Sequence, residues 1–170
     1  MPFRRLLPLL VLALSLAPSG LARAGGLTWS RWDAGLKEAS SGNRFVLVDV
    51  YTDWCGWCRR MEADVYARPE VREYLSRRFV TVKLDAESDA PATYRTRRYS
   101  ESSLASRFGV SGYPTTIFLK PNGDHLVNVP GYVPADRFLQ LLRYVGDGHL
   151  ERGEPFDEYV RKAGQGAPQR

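Results

Sequence analysis

Apolar residues recur along this chain in two patterns, the short continuous runs of buried strands and the three-and-four spacing of amphipathic helices. Trp29, Trp32, Leu36 and Ala39 keep helical spacing, Ser30 with Asp33 marks a start, and Ser41-Gly42-Asn43 marks a stop. Arg44 to Thr52 follows as a strand whose near-continuous apolar character suits burial on both faces, with Asp49 as the exception inside it. From Cys55, a helix is expected to turn Cys58, Met61, Glu62 and Val65 to one face and to stop before Pro69. Pro69 opens a second short helix with Val71, Tyr74 and Leu75 inward, and Phe79 to Leu84 forms the next strand.

Ala86 to Ser100 breaks this rhythm. Pro91, small polar residues and the cluster Tyr94-Arg95-Thr96-Arg97-Arg98-Tyr99 read as a solvated surface loop, with a docking surface for a partner as the sharper alternative. Glu101 to Phe108 returns to helix and ends at Gly109. Thr115 to Lys120 and a strand through Val129, joined by Pro121-Asn122-Gly123-Asp124, make an antiparallel hairpin. Pro134 and Asp136 open a last amphipathic helix bearing Phe138, Leu141, Leu142 and Val145. Beyond Gly148 one further helical turn around Phe156 and Tyr159 is expected, then a disordered Gly/Pro/Gln tail.

Composition changes this picture at the N-terminus. Arg4 and Arg5, the apolar run Leu6 to Ala17 and Ala22-Arg23-Ala24 form the pattern of a cleaved secretory signal over residues 1–24. The run is too short to span a bilayer core, so no stable membrane insertion is expected after cleavage. The expected organisation is a signal at 1–24, one domain at 25–150 and a partly disordered extension at 151–170. The whole chain carries a formal charge of +5, but removal of the signal leaves 21 basic against 19 acidic residues. A balance that small lacks the basic groove nucleic acid requires, so no nucleic-acid partner is expected.

Candidate chemistry concentrates at Trp54-Cys55-Gly56-Trp57-Cys58, which holds both cysteines of the chain at the junction of an expected strand and helix. That arrangement is the pattern of a thiol-disulfide redox site. A structural disulfide closes too small a loop to restrict the unfolded chain much. A zinc site would need His125 and His149, neither at motif spacing to Cys58, so no metal and no cofactor are expected.

Several separately spaced features then resemble the thioredoxin family, from about Phe45 to about Val145. Trp54-Cys55-Gly56-Trp57-Cys58 is similar to the family's W-C-G-P-C, with Trp57 in place of proline. Asp49 and Lys83 stand at the family's buried aspartate and neighbouring lysine, Tyr113-Pro114-Thr115 resembles its cis-proline loop, and Gly123 and Gly131 match glycines of its last hairpin. The segment from Cys58 to Val71 and Pro130-Gly131-Tyr132 are similar to the C-terminal domain of the transmembrane disulfide reductase and to periplasmic thioredoxins of sulfur-oxidation systems.

The resemblance implies an α/β thioredoxin fold, a central mixed sheet flanked by helices with a C-terminal antiparallel hairpin. It also implies an exported, periplasmic protein-disulfide reductase acting on disulfide-containing proteins and drawing electrons from a membrane thiol reductase. Cys55 is the expected nucleophile and Cys58 the resolving thiol. Asp49 reads as the base for Cys58, moderated by Lys83, with a structural ion pair as the alternative. Trp54, Gly56, Trp57, Tyr113 and a cis Pro114 are the expected substrate surface, although Trp54 reads equally as packed core. A disulfide oxidase or isomerase, or a non-catalytic binding module, are the alternative functions.

Overall fold

A computed structural model describes residues 26–165 of the chain. The expected signal at 1–24 and the end of the expected tail lie outside the described residues. Five strands, β1 (Trp29–Ser30), β2 (Phe45–Tyr51), β3 (Phe79–Asp85), β6 (Thr115–Leu119) and β7 (His125–Pro130), form one sheet in the order β1-β3-β2-β6-β7. β2 runs parallel to β3, and β6 runs antiparallel to both β2 and β7, so the sheet is mixed as expected. β4 (Pro91–Tyr94) and β5 (Arg97–Ser100) form a separate antiparallel hairpin.

Period-two alternation in β2 sends its side chains to two cores. Val46, Val48 and Val50 face one, under α1 (Trp32–Gly42) and α4 (Glu101–Arg107), where Trp32 and Leu104 are buried. Leu47 faces the other, under α2 (Gly56–Met61), α3 (Pro69–Arg78) and α5 (Ala135–Gly146), with Phe118 and Phe138. Asp49 shares the parity of Leu47, so the alternation that builds the second core also carries a carboxylate into it.

Three expectations change. Trp29 and Ser30 belong to β1 rather than to the first helix, because Trp29 pairs with Thr81 at the sheet edge. The helix starts at Trp32, and Gly35 rather than Leu36 gives it close contact with β3: a Cβ on Gly35 would lie 2.3 Å from Val82 Cγ2. The Ala86 to Ser100 loop is a fixed hairpin in its second half. Ala92 is fully buried, Trp32 Nε1 donates to the Thr93 carbonyl at 2.8 Å, and the Thr93 N–H donates to Asp33 Oδ1 at 2.7 Å. Its apolar positions, Ala92 and Tyr94 on β4 and Tyr99 on β5, are too few and too interrupted by arginines to give a period, yet they are enough to dock it.

The expected turn after Gly148 is a ten-residue helix, α6 (Phe156–Gln165), held by Tyr144 against Phe156 and Tyr159 at ring distances of 5.0 and 5.4 Å. Among the described residues, no helix is long and apolar enough to cross a membrane.

Candidate active site

β2 ends at Tyr51, and the Cys55 N–H donates to the Thr52 carbonyl at 3.2 Å, turning the chain into α2. Cys55 occupies the N-cap with extended backbone (φ −69°, ψ 102°), and its sulfur accepts the Cys58 N–H at 3.0 Å. The N-cap position aims free N–H groups and the positive end of the helix dipole at Cys55 Sγ, which favours a thiolate there over a thiol. Cys58 lies one turn on, and the two sulfurs form a disulfide. Both cysteines are nearly covered, with 4% of Cys55 and 7% of Cys58 exposed.

The tryptophans beside them are not covered. Trp54 is 65% and Trp57 55% exposed, and they are the large apolar side chains left open to solvent among the described residues. Trp54 is therefore surface and not core. Its Nε1 donates to Glu87 Oε1 at 2.8 Å and its ring meets Tyr113 edge-on at 5.9 Å. Trp57 lies 5.6 Å from Tyr132, and the Arg60 guanidinium sits over both rings at 5.4 and 5.7 Å. Two aromatic pairs thus flank the disulfide, one tied to a carboxylate and the other to a cation.

The Tyr113-Pro114 peptide bond is cis, and the Pro114 carbonyl accepts the Gly131 N–H at 2.8 Å. Gly131 has φ +83°, a conformation that costs glycine nothing and other residues strain. This contact joins the Pro114 loop to the segment carrying Tyr132, so the loop and the Trp57 pair are held in one frame.

Behind the surface, Asp49 is buried, and both its oxygens are engaged. Tyr66 Oη donates to Oδ1 at 3.2 Å and Lys83 Nζ to Oδ2 at 2.5 Å. Burial pushes the Asp49 pKa up, and the opposing pull of Lys83 does not cancel it. Lys83 also donates to Glu62 Oε2 at 2.9 Å and lies over the rings of Trp29 and Tyr51 at 4.5 and 5.1 Å. Burial pulls Lys83 down, but Asp49 and Glu62 together leave it above its ordinary value. No hydrogen bond among the described residues ties Asp49 to a sulfur.

The structure thus sets the exposed Trp54 and Trp57 and the half-buried Tyr113 around the buried Cys55, Cys58 and Pro114, and brings Asp49 and Lys83 together behind them. Sequence reasoning missed the roles of Tyr66, Glu62 and Trp29 in the second group. A π turn at Glu62–Tyr66 inserts one residue into the helical spacing, so Val65 and Tyr66 are both buried and a strict 3.6 period finds only Val65. Glu62 did fall on the inward face, and that placement was the available signal for its bond to Lys83. His125 and His149 are engaged with Asn128 and Glu154, and no group of three His, Cys, Asp or Glu among the described residues is placed to hold a metal ion.

Comparison with known proteins agrees with this geometry. The sequence profile of the thioredoxin-like domain matches residues 32–146. The chain is 31% identical over 103 residues to thiol:disulfide interchange protein DsbD of Tatumella citrea, a match covering 59% of this chain and 16% of that protein. It is 31% identical over 129 residues to the chloroplastic thioredoxin-like protein HCF164 of Oryza sativa subsp. japonica, covering 76% and 42%. The chain therefore spans less than half the length of either relative. Among solved structures, a thioredoxin from Thermus thermophilus superposes with a TM-score of 0.59 at 27% identity, covering 74% of this chain and 96% of that one.

Proposed function

The chain belongs to the thioredoxin-like family, and from that premise we propose that it is an exported, periplasmic thiol–disulfide oxidoreductase that reduces disulfides of partner proteins through Cys55 and Cys58. The observation that carries this reading is the pair itself: Cys58 donates its N–H to the sulfur of an N-cap Cys55 while the two sulfurs are near enough to bond.

In the reduced protein the Cys55 thiolate attacks one sulfur of the partner's disulfide, forming a mixed disulfide and releasing the partner's other sulfur as thiolate. Cys58 gives up its proton and attacks Cys55 Sγ, which expels the second partner thiolate and leaves the Cys55–Cys58 disulfide. Two electrons pass to the partner, so a thiol donor must restore the dithiol, and we assign that task to a membrane thiol reductase. Asp49, with its raised pKa, accepts the Cys58 proton, and Lys83 moderates the charge that results. Trp54, Gly56, Trp57 and the backbone of Tyr113 beside Pro114 receive an extended segment of the partner.

Insulin reduction by the wild type and by Cys55→Ser tests the reading. Activity in the wild type alone supports it, and equal rates in both would leave a binding module. Cys58→Ser is expected to accumulate mixed disulfides, whose captured proteins name the substrates. Asp49→Asn is expected to slow release of the mixed disulfide without slowing its formation, and an unchanged release rate removes Asp49 from the mechanism.

A further inference from the structure

The β4–β5 hairpin builds a cavity of about 600 Å³ between its own tip, the end of α4 and the start of β7. Its place in the sheet separates it from the cysteines. His125, on its wall, pairs with Leu119, and Leu119 pairs with Val46 near the start of β2, whereas Cys55 follows the end of β2. A strand of seven residues puts about 20 Å between those ends.

The lining combines cations with aromatic rings and holds no Asp or Glu. Tyr94 and Phe108 lie 4.9 Å apart with tilted rings and pack against the buried Trp32 at 6.0 and 5.7 Å, Tyr99 joins the same cluster, and this floor is fixed by the bonds that hold Thr93. Arg95 is neutralised by Asp124 at 3.1 Å. Arg97 and Arg107 are exposed and have no carboxylate within 4.0 Å among the described residues, and the residues outside that span contain no Asp or Glu. Arg97 and Tyr99 share one face of β5 by alternation, while Arg98 takes the other and is not part of the lining.

We propose that this cavity docks an acidic, aromatic-bearing segment of a protein partner, with carboxylates on Arg97 and Arg107 and the ring on the Tyr94–Tyr99–Phe108 floor. Guanidinium groups with no carboxylate partner among the described residues match a partner's carboxylates bidentately, and rings beneath them accept an apolar side chain. The cations stand at an open rim and do not enclose a ligand, which fits a partner's surface segment better than a small molecule that would be buried. A partner held here leaves the disulfide uncovered, so docking and exchange proceed on opposite ends of the sheet.

The test titrates the full chain with the peptide Glu-Glu-Tyr-Glu-Glu, with Gln-Gln-Tyr-Gln-Gln, and with vesicles of anionic lipid, following backbone amide shifts. The acidic peptide is expected to bind, to perturb residues 94–99 and 107–108, and to weaken with added salt. The Arg97→Ala/Arg107→Ala double variant is expected to lose about tenfold in affinity, and Arg98→Ala less than about twofold. Insulin reduction by the double variant is expected to match the wild type, and peptide binding is expected to persist in Cys55→Ser, so this site stands or falls apart from the redox reading. Equal binding of the Gln peptide, an undiminished affinity in the double variant, or binding of vesicles without binding of the acidic peptide overturns the proposal.

Discussion

Lys83 stands directly opposite Asp49 in the parallel β2–β3 register, and its Nζ lies 2.5 Å from Asp49 Oδ2. The ladder therefore places the pair: one step of slip would return Asp49 to the other face and leave a buried carboxylate without its cation. Even so paired, Asp49 keeps a raised pKa because burial outweighs the attraction.

That sign fixes a stability prediction. A carboxyl whose folded pKa exceeds its unfolded value near 3.8 contributes stability that is fully present below 3.8 and is lost as pH rises through the folded value. Asp49→Asn cannot ionise, so its stability relative to the wild type is expected to increase with pH across that window and to level off above it. Denaturant unfolding from about pH 4 to about pH 8 measures the difference. A difference that stays constant across the window contradicts the assignment. Lys83→Met, which removes the opposing charge, is expected to move the window to higher pH.

Tyr66 supplies the second donor to Asp49, at 3.2 Å, while its ring packs on Trp29 and Phe138 at 5.0 and 5.6 Å. Tyr66→Phe keeps the ring and removes the bond. It is expected to cost about 1 kcal/mol of stability at neutral pH, the usual worth of such a hydrogen bond, and to raise the Asp49 pKa further, since the lost donor favoured the ionised form. Unfolding of Tyr66→Phe across the same pH range reads both effects, and an unmoved window shows that the hydroxyl does not act on Asp49.

Gly35 carries a packing prediction. A methyl there would meet Val82 Cγ2 at 2.3 Å and Ser30 Cβ at 3.3 Å, so α1 must lift from β3. Overpacking of this kind costs about 1–3 kcal/mol, while the gain in helix propensity from Gly to Ala is at most about 1 kcal/mol. Gly35→Ala is therefore expected to be destabilised. A lower urea midpoint at unchanged slope is the expected outcome, and a midpoint at or above that of the wild type shows that the contact relaxes freely.

How much of this was legible in the sequence follows from what each pattern encodes. β2, β3, β6 and α5 declare themselves because an unbroken apolar run or an i, i+3, i+4 stripe has one low-energy burial, and the Cys55/Cys58 spacing encodes its own chemistry. β1 did not declare itself, since two residues contain no period and Trp29 fitted a helical stripe by coincidence of spacing. The hairpin at Pro91–Ser100 was hidden for a different reason: its docking rests on Ala92 and on hydrogen bonds from Trp32 and to Asp33, partners about sixty residues away that no local window contains. The Asp49 and Lys83 positions were found, but the cage around them was not. Tyr66 reaches Asp49 only through the π turn, and Trp29 reaches Lys83 only through β1.

Trp57 occupies the position where the resemblance leads one to expect proline, and its surroundings argue for a role in contact with the partner. It is 55% exposed, rests on Tyr132 and is capped by Arg60, which is itself paired with Asp64 at 3.0 Å. An apolar ring held open by a cation and a second ring is preorganised to receive a partner's side chain, and an anchored aromatic of this kind carries an outsized share of binding energy. Its own packing is slight, so Trp57→Ala is expected to change stability by no more than about 1 kcal/mol. The apparent affinity for a protein disulfide such as insulin is expected to fall about tenfold, in line with loss of an interfacial tryptophan, with little change in the maximal rate. A small disulfide that never reaches Tyr132 controls for the chemistry of Cys55: its reduction is expected to be unaffected. If Trp57→Ala slows both substrates equally, the ring acts on the cysteines themselves and the contact role is excluded.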